Sequence, residues 1–268
     1  MPYVEVNPGV KVYVEDWGSG KPIFFIHGWP LSHKMFEYQF TQLPRHGYRC
    51  IGIDLRGFGK SDRPWCDYKY NGFADDVKKV LEALNLRDVT LAGFSMGGAI
   101  TMHYMGRHFG ERVSKIALLG AAAPCFTKRA DFRYGLEKSA CDDFIKACYA
   151  DRAQLLVNFG KIFFYKEDSV SPKLGDWFHS LGMEASPHAT AMCLVELRDA
   201  DLREDMVKIN VPTGIFHGAQ DKICPFELAE VMSKSIKGSK IIRFEKSGHG
   251  LVVDEMEKFN QELMRFVG

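Results

Sequence analysis

Apolar and polar residues alternate from Val10 to Trp17, the period of a strand with one buried face. Gly18-Ser19-Gly20 reads as a turn, and Pro22 to His27 as a short buried strand that pairs early with the first. Tyr48 to Leu55 is another buried run. From Phe73 to Leu86 the period changes: Phe73, Val77, Val80, Leu81 and Leu84 fall on one helical face, while Lys78, Lys79 and Glu82 face out. Further strands are expected at Asp88 to Phe94, Val113 to Gly120, Val211 to His217 and Lys240 to Phe244. Helices are expected at Met96 to Phe109, at Phe226 to Ile236, and around Met256, Phe259, Leu263 and Phe266. Strands alternating with helices of this length predict an α/β fold with a mostly parallel sheet covered on both faces.

The stretch 124–200 breaks that rhythm. It reads as several aromatic-rich helices with no convincing strand between them. The expected organisation is therefore a core written in two pieces, 1–123 and 201–268, with a helical cap at 124–200 inserted between them. A length of 268 residues is ample for such a core without a metal or disulfide staple.

Composition narrows the possible partners. Thirty-five Lys plus Arg against 34 Asp plus Glu leave a net charge of +1, too balanced to gather nucleic acid or an anionic membrane. The N-terminus lacks the basic and apolar regions of a signal peptide. Ile23 to Ile26, the longest apolar run near it, is far shorter than the roughly 20 residues of a membrane span. The seven cysteines (50, 66, 125, 141, 148, 193 and 224) are odd in number and contain no CxxC, so free thiols in a reducing compartment are expected. Together these features predict a cytoplasmic protein.

Candidate chemistry centres on Gly93-Phe94-Ser95-Met96-Gly97. It fits G-x-S-x-G, with an apolar strand entering and a helix leaving, the context of a nucleophile elbow. Glycines two before and two after the serine remove Cβ atoms from a tight turn, and the hydroxyl stands at a helix N-terminus that favours negative charge. A serine hydroxyl needs a base. Of nine histidines, His249 lies in Ser247-Gly248-His249-Gly250, after the last strand and at the same sheet edge as Ser95. His103 and His108 belong to the helix after the elbow, His217 ends a strand, and His27 reads as structural. Asp221, just after a strand, is the candidate to orient the imidazole; Asp199 and Asp201 compete but precede a strand. The order Ser, Asp, His fits the elbow motif. The backbone N–H groups of Met96 and Trp29 are candidate oxyanion donors. No HExxH, GxxxxGK[ST] or GxGxxG occurs, so neither a metal nor a cofactor is expected.

These residues carry a resemblance over the full length of the chain. It is similar to the α/β-hydrolase superfamily and, within it, to the bacterial arylesterase and cofactor-free haloperoxidase (perhydrolase) group. The segments that carry it are FIHGWPLSHKMFEYQ, IGIDLRGFGKSD, FADDVKKVLEALNLRDVTLAGFSMGGA, the DRAQ at 151–154, VPTGIFHGAQDKICPFE and SGHG. The resemblance implies Ser95, Asp221 and His249 as a catalytic triad with Trp29 and Met96 as oxyanion donors. It implies a substrate pocket walled by Phe126, Phe144, Phe159, Phe163, Ile223 and Phe226. Asp54 to Ser61, a landmark of the family, reads as structural. Pro30 follows the oxyanion residue as in haloperoxidase-like members, which implies some perhydrolysis.

The expected function is a serine carboxylic ester hydrolase for small aryl or short-acyl esters, with a small-molecule substrate. The resemblance also allows a homo-oligomer. A Ser-triad C–C bond hydrolase or lactamase reuses the same residues, and a non-enzymatic ligand receptor would reuse the fold alone. A serine in the elbow argues against epoxide opening or halogen removal, for which related folds use an aspartate there.

Overall fold

Every residue of β5 (Val89–Phe94) and β7 (Thr213–Gly218) is buried, so both faces of the sheet are covered at its centre. The computed structural model describes residues 2–65, 68–166 and 168–268. The other strands are β1 (Tyr3–Asn7), β2 (Val10–Gly18), β3 (Lys21–Ile26), β4 (Tyr48–Ile53), β6 (Val113–Leu119) and β8 (Lys240–Phe244). They form one eight-stranded sheet in the order β1-β2-β4-β3-β5-β6-β7-β8. β2 is antiparallel to β1 and β4, and all other pairs are parallel.

The helices are α1 (Glu37–Gln42), α2 (Tyr70–Ala83), α3 (Met96–His108), α4 (Lys138–Ala150), α5 (Arg152–Phe163), α6 (Pro172–Glu184), α7 (Pro187–Asp199), α8 (Arg203–Met206), α9 (Glu227–Ser235), α10 (Leu251–Asp254) and α11 (Met256–Val267). Between β6 and β7 the chain leaves the sheet for the helices α4 to α8. There α4 packs on α7 and α5 on α6. Among the described residues no helix is long and apolar enough to cross a membrane. Six cysteines are free and buried, while Cys66 lies outside the described residues.

Three elements differ from the sequence expectation. β2 does not pair with β3, because β4 lies between them: Trp17 and Ile23 both face Cys50, from opposite sides. Gly18-Ser19-Gly20 therefore passes across a strand edge instead of closing a hairpin. The true hairpin is β1–β2, with Val4 and Val6 turned inward and Asn7-Pro8-Gly9 at its end. α2 begins three residues earlier than its apolar stripe, since Glu196 of α7 accepts the Tyr70 N–H at 2.9 Å and supplies a cap from far along the chain. It ends early because Asn85 turns left-handed (φ 47°).

The segment after β4 is a brace. The buried Asp54 carboxylate accepts from the His33 N–H (2.8 Å), the His33 ring (2.6 Å) and the Lys60 N–H (2.9 Å). Burial by itself would raise its pKa, but hydrogen bonding and charge from His33, with His27 and Lys60, hold it below the usual carboxylate range. A depressed carboxylate stabilises the fold above its unfolded pKa, and that contribution is lost as pH falls through the folded value. Asp54→Ala is accordingly expected to cost roughly 3–5 kcal/mol at neutral pH, since it strands a buried set of donors. Denaturant unfolding should show this deficit shrinking once pH falls below about 4.

Candidate active site

Ser95 sits at the turn from β5 into α3 with φ 55° and ψ −115°, a conformation strained for any residue with a side chain. Its backbone is over-determined. The N–H donates to Leu119 O (2.9 Å), and the carbonyl accepts from Gly98, Ala99 and Ala122. The turn tolerates no Cβ at Gly97, where one would lie 2.2 Å from Ile26 O. The sequence expectation of an elbow at Ser95 thus matches the backbone in detail.

Asp221 follows β7 and His249 follows β8, at the carboxyl ends of their strands. Their side chains meet: His249 Nδ1 lies 2.7 Å from Asp221 Oδ2, with both side chains buried. Asp221 Oδ1 accepts from the N–H groups of Ile223 and Cys224, each at 2.8 Å. The imidazole packs on Phe94, next to the elbow serine, at 4.7 Å between ring centroids. His249 Nε2 is buried and has no hydrogen-bond partner among the described residues. The Cys224 thiol is buried beside the Asp221–His249 pair. Burial first and the Asp221 charge second push that thiol far above its usual pKa, and the Ser95 side chain acts the other way.

Trp29 follows β3, and its N–H donates to no group among the described residues. The segment lies against the elbow: a Cβ on Gly28 would come within 2.8 Å of Ser95 Cβ. The Trp29 indole donates to Thr190 O at 2.9 Å, and the Trp29-Pro30 peptide is cis. Met96 opens α3, where N–H groups lack a carbonyl one turn earlier.

The other candidates separate cleanly. His27 is fully buried between Gly28 O and the Leu55 N–H, and burial lowers its pKa to about 4. His103 bonds Asp205 and Asn71, and His108 pairs with Asp75. Asp199 and Asp201 are engaged with Arg198 and Arg203.

A cavity of about 750 Å³ opens between α5 and α6, with Pro30, Leu31, Phe159, Phe163 and Phe178 among its walls. Ser95 and His249 are not part of its wall. Two rings stand between: Phe159 lies edge-on to Trp29 at 5.0 Å, and Phe163 edge-on to His249 at 5.4 Å. Of the six expected pocket residues, only Phe159 and Phe163 line this cavity. Phe144, on α4, is partly buried against the core and does not line the cavity. Phe126 is buried in the core. Phe226 packs on His217 beneath the Arg243 guanidinium. Buried Ile223 serves Asp221 through its backbone.

Two supports escaped the sequence reading. Asp254 of α10 accepts from the N–H groups of Gly248 (2.9 Å) and Tyr165 (3.0 Å) and from Ser169, tying the His249 loop to the end of α5. Cys224 donates its N–H to Asp221. Neither stands in a motif, and both are recognisable only by contact.

The family described as alpha/beta hydrolase fold matches residues 21–255. This chain belongs to that family. The hydrolase is 50% identical over 264 residues to an AB hydrolase superfamily protein, YisY, of Bacillus subtilis, covering 98% of each chain. Its structure superposes with a TM-score of 0.96 on an esterase from Exiguobacterium antarcticum, 48% identical, covering 99% of this chain and 98% of that one. A bromoperoxidase from Bacillus anthracis, 36% identical, gives the same TM-score and coverage. Full-length homologues also include proteins named non-heme chloroperoxidase and a bifunctional esterase/perhydrolase.

Proposed function

We propose that this hydrolase cleaves small aryl or short-acyl carboxylic esters through an acyl-enzyme on Ser95. The observation that carries the reading is the buried Asp221–His249 pair, 2.7 Å apart, whose Nε2 has no partner among the described residues beside a strained elbow serine. With Nδ1–H given to Asp221, Nε2 is the basic nitrogen. Rotation of the Ser95 hydroxyl toward His249 Nε2 makes the nucleophile. Catalytic hydrogen bonds are commonly unmade before substrate arrives.

His249 takes the Ser95 proton as the oxygen attacks the ester carbonyl. The N–H groups of Trp29 and Met96 hold the oxyanion, each worth about 2.7–4 kcal/mol of barrier. The alkoxide leaves with the proton from His249. Water, giving a proton to the same nitrogen, then releases the acid. The Phe159 and Phe163 rings confine the acyl group near Ser95, while the cavity behind them accepts the alcohol portion. Its volume lies within the range of about 300–1,000 Å³ common for small-molecule sites.

A panel of p-nitrophenyl esters tests this: kcat/KM should peak at short acyl chains and fall as they lengthen. No turnover, or a preference for long chains, contradicts the proposal. Pro30 and the similarity to a bromoperoxidase support a side reaction in which hydrogen peroxide replaces water and gives a peracid. Acetate with hydrogen peroxide should yield peracid above a Ser95→Ala control, and equal yields would remove that reaction from the account.

A further inference from the structure

Two imidazoles meet the Asp221 carboxylate. His249 does so at 2.7 Å; the other is His217, whose Nε2 lies 3.6 Å from the same oxygen, Oδ2. We propose that His217 is a positioning residue, a neutral clamp that holds the acid-bearing turn closed on the end of β7. The inference rests on the reading that Asp221 orients His249.

His217 is well placed to anchor. It lies in β7, which is hydrogen-bonded on both sides, and its ring is fully buried. Nε2 is 2.7 Å from the Cys224 carbonyl. A carbonyl only accepts, so Nε2 carries the proton. Nδ1 is buried without a partner among the described residues, which fits a bare lone pair and a neutral ring. The titratable groups around it are Asp221, His249, Cys224 and Glu227; burial outweighs the two carboxylates and lowers the pKa of His217.

The turn from Asp221 to Cys224 is thus closed twice. Asp221 Oδ1 collects the N–H groups of Ile223 and Cys224 from within. The His217 N–H grips the Cys224 carbonyl from the strand. At its start, Ala219 and Gln220 donate to Phe244 and Ser247. His217 is what ties the far end of the turn to the rigid sheet. Without it, a buried carbonyl loses its donor, and Oδ2 is no longer fixed against His249.

Neutrality is part of the device. A cationic His217 would compete with His249 for Oδ2 and cancel some of the field that stabilises the imidazolium formed during catalysis. The neutral ring supplies a donor without supplying that charge.

His217→Phe keeps the bulk and removes the donor, whereas His217→Gln keeps a donor near Nε2. With p-nitrophenyl acetate, His217→Phe is expected to lower kcat about tenfold or more, with KM within about twofold of the parent. His217→Gln should recover most of that kcat. Wild-type kcat in His217→Phe overturns the proposal. So does a His217→Gln that folds with an unchanged Tm yet is as slow as His217→Phe. If His217→Phe fails to fold, His217→Asn takes its place, since its shorter amide falls short of the Cys224 carbonyl. Ser95→Ala in the same assay separates the two readings. Turnover there defeats the serine mechanism itself, whereas a silent Ser95→Ala beside a fully active His217→Phe defeats only the clamp.

Discussion

Ser95→Ala is expected to lower kcat for p-nitrophenyl acetate by at least about 10⁴-fold while the protein stays folded. The loss is large because, in the proposed mechanism, the hydroxyl is the bond-forming group, and nothing nearby replaces it. The adjacent Cys224 thiol is buried, and its pKa is held far above the usual range, so it is no substitute nucleophile. Stability should change by no more than about 1 kcal/mol. The bonds that fix the elbow run through backbone groups, from Ser95 N–H to Leu119 and to the Ser95 carbonyl from Gly98, Ala99 and Ala122. Steady-state kinetics and thermal unfolding on the same preparation check both halves of this expectation.

Asp221→Asn should cost nearly as much, on the order of 10⁴-fold in kcat, with little change in KM. The geometry gives the reason. Oδ1 accepts two backbone N–H groups, from Ile223 and Cys224, so an asparagine must put its oxygen there. Its NH₂ group then faces His249 Nδ1 and donates to it. The imidazole is driven to the tautomer with the proton on Nε2, and the base is gone. An Asp221→Asn variant with more than about a tenth of the parent kcat would mean that the carboxylate does not set the tautomer.

Much of this site was legible because its signals are local. Strand, G-x-S-x-G and helix are contiguous, so Ser95 could be placed from a dozen residues. Asp221 and His249 followed from their positions just beyond strands, which a parallel sheet brings to one edge. The same logic failed where the deciding partner is distant. Nothing near Gly18 announces that β4 will separate β2 from β3. The start of α2 depends on Glu196. The aromatic content of 124–200 marked a helical segment, but not which rings face the cavity. That choice depends on how the helices pack, a matter of packing rather than pattern. His217, Cys224 and Asp254 carry no motif, and they are found only through their contacts with the Asp221 turn and the His249 loop.

The central claim is that Ser95 is the residue that becomes acylated. Treating the folded protein with a serine-directed phosphonate and mapping the adduct by peptide mass spectrometry tests it most directly. One adduct per chain, on Ser95, is the predicted result, formed in step with loss of esterase activity and absent from Ser95→Ala and strongly slowed in Asp221→Asn. An active protein that takes up no phosphonate, or carries it on another residue with Ser95 unmodified, would contradict the account.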